Sequence, residues 1–127
     1  MGRVVVIGGG WSGVSAAIRA KKAGCDVCLL EKTDLLLGAG NVGGIFRNNG
    51  RFTATEEMIA LGAGELFEIM DECALHSNIE FPGHKHASLY DVDKIEPLVR
   101  RLLMDMDIKI NLEAHVYDVT INNNRIE

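Results

Sequence analysis

Four glycines within six positions, Gly8, Gly9, Gly10 and Gly13, follow directly on the apolar run from Val4 to Ile7. Gly8, Gly10 and Gly13 have the spacing G-x-G-x-x-G, and between a strand and a helix each has its own physical task. The first turns the chain sharply off the strand. The second has no Cβ to obstruct an approaching pyrophosphate, and the third lets helix and strand pack closely. Backbone N–H groups at the helix start, with its dipole, then favour phosphate charge. A carboxylate, Glu31, stands 18 residues beyond Gly13. At the end of the next strand it can accept bonds from both hydroxyls of an adenosine ribose. Its charge repels a 2′-phosphate and so disfavours NADP, although Lys32 beside it weakens that repulsion. Together these residues predict binding of an adenine dinucleotide.

Other groups are less specific. "GAGNVGG", residues 38–44, can bring the backbone of Gly38, Ala39, Gly43 and Gly44 close to a pyrophosphate and a flavin ring, because glycine permits close approach. Trp11, inside the phosphate turn, reads as a ring packed beside the turn rather than stacked on a cofactor. Ser12 can offer its hydroxyl to phosphate or cap the helix. Arg47 and Asn48 can face a flavin or an anionic substrate, since Arg pairs with carboxylates; a solvated loop is the plainer reading. Cys25 and Cys28 form C-x-x-C, but on an extended strand residues three apart face opposite ways, which favours packing over a redox pair or a zinc site. His84 and His86 read as a polar loop, with no metal site expected. No residue stands out as a catalytic base.

The elements that must position these groups are legible in the hydrophobic pattern. Val4 to Ile7 reads as a fully buried parallel strand. Val14, Ala17, Ile18 and Ala20, then Lys21, Lys22 and Gly24, read as a small-residue helix with a basic last turn and a glycine stop. Val27 to Leu30 is a second buried strand, which completes a βαβ unit. From Lys32 to Phe52 the periodicity disappears, and residues 33–51 hold five glycines and three asparagines, so a long functional loop is expected. A helix then starts near Thr53, with Thr53 and Glu56 as a capping box. Ile59, Ala63, Leu66, Phe67, Met70 and Cys73 would form its apolar face, and Glu57, Glu65, Glu68 and Glu72 a solvated one. Residues 76–90 are poorly patterned around a Pro82-Gly83 turn. Ile95, Leu98, Val99, Leu102, Leu103 and Met106 predict another helix, capped by Asp93 so that Pro97 falls near its first turn. Residues 108–112 and 115–121 alternate as strands, and "NNN" at 122–124 turns the chain into a hairpin.

Composition limits what such a chain can do. With 127 residues it suits one domain and is large enough for a core. Its net charge is −5, from 18 acidic and 13 basic residues without a basic cluster, so neither nucleic acid nor an anionic membrane is an expected partner. No apolar run is long enough to span a bilayer, and no signal peptide is recognisable. The acidic balance and the three cysteines, an odd number, favour the cytoplasm.

The stretch "VVVIGGGWSGVSAAIRAKKAGCDVCLLEK" resembles the amino-terminal fingerprint of FAD-dependent oxidoreductases in the broad glutathione-reductase and succinate-dehydrogenase-like superfamily. "LLLGAGNVGG" is similar to the glycine-containing stretch that runs past the flavin in those proteins, and "YDVDKIEPLVRRLLMDMDIKINLEAHVYDVTINNNRI" to a later helix, strand and hairpin. The resemblance covers nearly all of the chain, closely at 4–32 and 90–126 and loosely between. It implies an α/β fold: a Rossmann-like FAD/NAD(P)-binding βαβ core with a parallel sheet, additional helices and the start of a carboxyl-terminal β-hairpin. It implies FAD as cofactor, with redox chemistry at the flavin ring and a small-molecule substrate in the intact enzyme. Members of the superfamily run to several hundred residues and add a substrate domain. The expectation is therefore that residues 1–127 are an incomplete amino-terminal FAD-binding fragment that lacks its carboxyl-terminal part, or else work with a separately encoded partner subunit, and are not catalytically complete alone. An NAD-binding domain and a non-catalytic regulatory module of the same fold are the alternatives.

Overall fold

The computed structural model describes residues 2–45, 47–49, 57, 59–81, 84–123 and 125–126. Strand β1 (Arg3–Ile7) leads through the glycine turn into helix α1 (Trp11–Lys22), and strand β2 (Asp26–Leu30) follows. Gly24, at φ +84°, takes the left-handed conformation that ends the helix. β1 and β2 are parallel, with Arg3 opposite Asp26 and Ile7 opposite Leu30. β6 (Lys109–Asn111) lies on the other side of β2, also parallel, so the order is β1-β2-β6. The expected βαβ core and parallel sheet are present.

The remaining chain forms a second layer and a small antiparallel sheet. β3 (Arg47–Asn49), β4 (Ala74–Phe81) and β5 (His84–Tyr90) pair in the order β3-β5-β4. A π-helical turn (Ile59–Ala63) leads into α2 (Gly64–Glu72), and α3 (Val92–Asp105) runs from β5 towards β6. β7 (Ile121–Asn122) and β8 (Arg125–Ile126) make the expected hairpin, with Asn123 at positive φ in its turn.

The core lies between the parallel sheet and the helices. Val14, Ala17 and Ile18 of α1, Val27 and Leu29 of β2, and Ile95, Val99 and Leu103 of α3 are all 0% exposed. The α3 residues are spaced by four and thus share one face. Leu66, Phe67, Met70 and Cys73 bring the second helical layer against them, as their spacing predicts. Leu36 and Leu37, in the middle of the expected loop, are also fully buried.

Several expectations are corrected. β1 is not fully buried, because it forms an edge of its sheet and one face is uncovered: Val5 is 38% and Ile7 59% exposed. Arg47–Asn49 is a strand rather than loop because it pairs with β5, and His84 and His86 stand in β5, which pairs with both β3 and β4. Helix α3 begins earlier than expected. Asp91, not Asp93, is its N-cap and accepts from the Asp93 N–H at 3.1 Å, which places Pro97 inside the helix. Residues 115–120 are not strand. The Thr53–Glu56 capping box and the Pro82-Gly83 turn lie outside the described residues.

Candidate functional site

The glycine turn is built as its spacing requires. Gly8 has φ +104°, a left-handed conformation that glycine adopts without strain. A Cβ on Gly13 would lie 1.8 Å from the Gly8 carbonyl oxygen, so helix and strand meet there backbone to backbone. Gly10 is the reverse case. A Cβ there would meet nothing within 4 Å, so the side of the turn that a pyrophosphate would approach is open.

Gly10 is also the N-cap of α1, and no side chain caps the helix or adds a carboxylate to its first turn. The first helical bond runs from the Val14 N–H to the Gly10 C=O. An open, uncapped helix start at a glycine whose Cβ side is clear suits an anionic group. Ser12 is exposed on this first turn and does not cap it. The Trp11 ring packs edge-on against Tyr90, with centroids 5.8 Å apart. Burial raises the Tyr90 phenol above its ordinary pKa, against a smaller opposing effect of its hydrogen bond with Trp11.

Glu31 is only 5% exposed at the end of β2. Its Oε2 accepts the Gly9 N–H at 2.6 Å. Its Oε1 accepts the Thr33 N–H at 2.8 Å and the Thr33 hydroxyl at 2.9 Å. A carboxylate offers about four lone-pair positions, so the protein itself fills most of them and the open one lies on Oε2. Burial pushes this carboxyl's pKa up, but the bonds from Gly9 and Thr33 and the charge of Lys32 outweigh it and hold the pKa below its ordinary value of 4.5. Folding therefore favours the charged form. Its contribution to stability is complete above the unfolded pKa and is lost as pH falls through the lowered folded value. The stability difference between the unmodified protein and Glu31→Gln should thus be about 2 kcal/mol at neutral pH and shrink below about pH 4.5. Denaturant titrations at several pH values would check this, and a difference that persists in acid would contradict it.

The stretch after Thr33 folds back on the turn. The Leu37 N–H donates to the Gly9 C=O at 2.8 Å, and a Cβ on Gly38 would touch Gly10 Cα at 3.4 Å. Gly38 thus lies against the glycine turn, whereas Ala39, Gly43 and Gly44 are exposed further along the same stretch, and Lys32 is exposed beside Glu31. A Cβ on Gly40 would fall 2.1 Å from the Tyr90 hydroxyl, a close approach that the sequence reading did not single out. Arg47 and Asn48 are in β3, opposite Leu89 and Ser88 of β5.

A further stretch beside Glu31 is not marked in the sequence. The Ala114 N–H donates to the Glu31 C=O at 2.9 Å, and the Glu113 N–H to the Thr33 C=O at 3.0 Å. These bonds hold the chain after β6 beside the end of β2. A cavity of about 160 Å³ results, lined by Ile7, Gly8, Leu30, Glu31 and Lys32 on one side and by Ala114, His115 and Val116 on the other. Nothing in the local pattern of "EAHVY" marks it, because only the parallel pairing of β6 with β2 brings it there.

The family described as glucose inhibited division protein A matches residues 3–127. No curated protein matches the sequence. Among solved structures, the fold is similar to that of native FqzB, at 21% identity and a TM-score of 0.64, over 98% of this chain and 31% of that one. It is similar to THI4 of Thermovibrio ammonificans, at 18% identity and a TM-score of 0.59, over 98% of this chain and 43% of that one. It also resembles p-nitrophenol 4-monooxygenase PnpA of Pseudomonas putida DLL-E4, at 18% identity and a TM-score of 0.64, over 99% of this chain and 35% of that one. The chain spans less than half the length of each of these structures.

Proposed function

The chain belongs to the glucose inhibited division protein A family of FAD-binding flavoproteins, and from that premise we propose that its glycine turn and Glu31 hold the ADP moiety of FAD for a flavin-dependent oxidoreductase. The observation that carries this reading is the open face at Gly10 beside the uncapped start of α1. A pyrophosphate seated there accepts bonds from backbone N–H groups of the first turn and gains from the helix dipole.

The cavity between Glu31 and Ala114–Val116 would hold the adenosine beside that seat. The free position on Glu31 Oε2 accepts one ribose hydroxyl, while the Gly9 bond on the same oxygen keeps the carboxylate aimed at the turn. Ile7, Leu30 and Val116 supply an apolar lining for a base. On the other side of the turn, Gly38 and the exposed Ala39, Gly43 and Gly44 would leave room for close approach by the rest of the cofactor. FAD supplies acceptance and release of electrons at its ring when bound. The chain's part is to bind and orient the dinucleotide. The whole protein's substrate acts at the flavin end.

Competition tests the placement. ADP should displace FAD from the purified protein, and riboflavin, which lacks both phosphates and the adenosine, should not. Glu31→Gln should weaken FAD by roughly tenfold, as expected for a lost charge-assisted bond. Failure of millimolar ADP to compete would contradict the placement, as would displacement by riboflavin.

A further inference from the structure

Outside the turn, the described residues include an ion pair between a buried carboxylate and a half-buried arginine for which the site chemistry has no use. Glu96, on α3, is 4% exposed. Its Oε1 accepts from Arg100 Nε at 2.9 Å and from Arg100 Nη2 at 2.5 Å. The same oxygen accepts the Leu36 N–H at 3.2 Å, and Arg100 Nη2 also donates to the Asp34 C=O at 3.1 Å. The pair therefore grips two backbone groups of the segment that leads into the 38–44 stretch.

That segment is held on its other side by the glycine turn. Leu37 bonds the Gly9 carbonyl and sits at φ +71°, a conformation that a leucine adopts only when its surroundings impose it. Leu36 Cδ2 lies 2.7 Å from where a Cβ on Gly9 would stand, so the leucine packs directly on the turn. A buried ion pair is a weak source of stability, because desolvation offsets its attraction. What this one does supply is directed bonds that set where residues 34–38 sit.

We propose that Glu96 and Arg100 are positioning residues for the FAD site: they hold residues 34–38 against the glycine turn, so that the cofactor meets a preformed surface. This rests on the reading that the turn holds FAD. Pre-organisation of this kind acts on affinity, because loop ordering is then not charged against binding.

The test separates affinity from stability. Glu96→Gln keeps an acceptor for the Leu36 N–H and should bind FAD within about threefold of the unmodified protein, on the usual scale for a neutral in place of a charged partner. Replacing both residues, Glu96→Leu with Arg100→Leu, removes the buried charges while keeping the space filled. Its melting temperature without cofactor should stay close to that of the unmodified protein, because relief from burying the charge is offset by the acceptor that the Leu36 N–H loses, yet its FAD dissociation constant should rise by about tenfold, within the usual range of coupling between sites. FAD affinity as tight as that of the unmodified protein in this double variant would overturn the proposal. Should the double variant fail to fold, Glu96→Gln with Arg100→Leu carries the test: it keeps an acceptor for the Leu36 N–H, leaves no buried carboxylate without its partner, and removes the bond from Arg100, a side chain 34% exposed, to the Asp34 C=O. Weaker FAD binding at an unchanged melting temperature would support the proposal, and unchanged binding would overturn it. If the unmodified protein itself takes up no FAD, the reading of the turn falls and this inference falls with it. Binding by the unmodified protein with no effect of the substitutions defeats this inference alone.

Discussion

Gly10→Val should leave the protein folded and abolish FAD binding. The residue has φ −70° and ψ 178°, extended backbone that valine adopts readily. Its Cβ would meet no heavy atom within 4 Å, so the new side chain does not strain the fold. It would instead project into the open face of the turn, where the proposed pyrophosphate has to come within hydrogen-bonding distance of backbone amides. Losing that approach removes the charge-assisted bonds at the helix start, each worth about 1.5–3 kcal/mol. An increase in the FAD dissociation constant of about a hundredfold or more is expected, with a melting temperature unchanged within about 3 °C. A thermal melt and an FAD titration on the same preparation check both halves. Unchanged affinity would show that the pyrophosphate lies elsewhere.

Gly13→Ala should do the opposite and damage the fold before any question of binding arises. The added methyl would sit 1.8 Å from the Gly8 oxygen and 3.0 Å from its carbonyl carbon. Both partners are backbone, so no side-chain rotation relieves the clash. Helix α1 would have to lift from β1, and with it Val14, Ala17 and Ile18, which are fully buried. Overpacking a tight site usually costs 1–3 kcal/mol; with backbone as the obstacle, about 3 kcal/mol or more is expected. Denaturant unfolding of the cofactor-free protein measures it, and a melting temperature equal to that of the unmodified protein would refute the close contact. The contrast between these two glycines, three positions apart, separates the one that makes room for the cofactor from the one that makes room for the helix.

Much of this arrangement is legible in the sequence where the determinants are local. The β1–turn–α1–β2 unit follows from an apolar run, spaced glycines and a glycine stop, and the structure places all of them in register. The buried face of α3 follows from residues spaced by four. The sequence alone sets its start two residues late, because proline argues against an interior position. Packing of Ile95, Val99 and Leu103 outweighs the donor that Pro97 lacks, and Asp91 caps the helix a turn ahead of it.

Where structure depends on distant partners, the pattern is silent. β4 and β5 pair with register shifts after Ala74, His76 and Ile79, so no simple alternation survives in their sequences. Leu36 and Leu37 sit in a glycine-rich stretch that reads as loop, yet the glycine turn and Glu96 draw them into the core. The place of Glu31 at the end of a strand predicts a ribose ligand. Its bonds to Gly9 and Thr33, which leave Oε2 as the open oxygen, depend on how the turn and the chain after β2 fold around it. The cavity wall at Ala114–Val116 exists only because β6 docks beside β2.

The central claim is that this chain's own turn and strand ends hold FAD. The most direct measurement is the visible absorption spectrum of the purified protein after incubation with FAD and removal of the excess. A flavin spectrum that stays with the protein at about one equivalent, and is lost in Gly10→Val, is the predicted result. A protein left colourless after saturation with FAD, while still folded, would contradict the account.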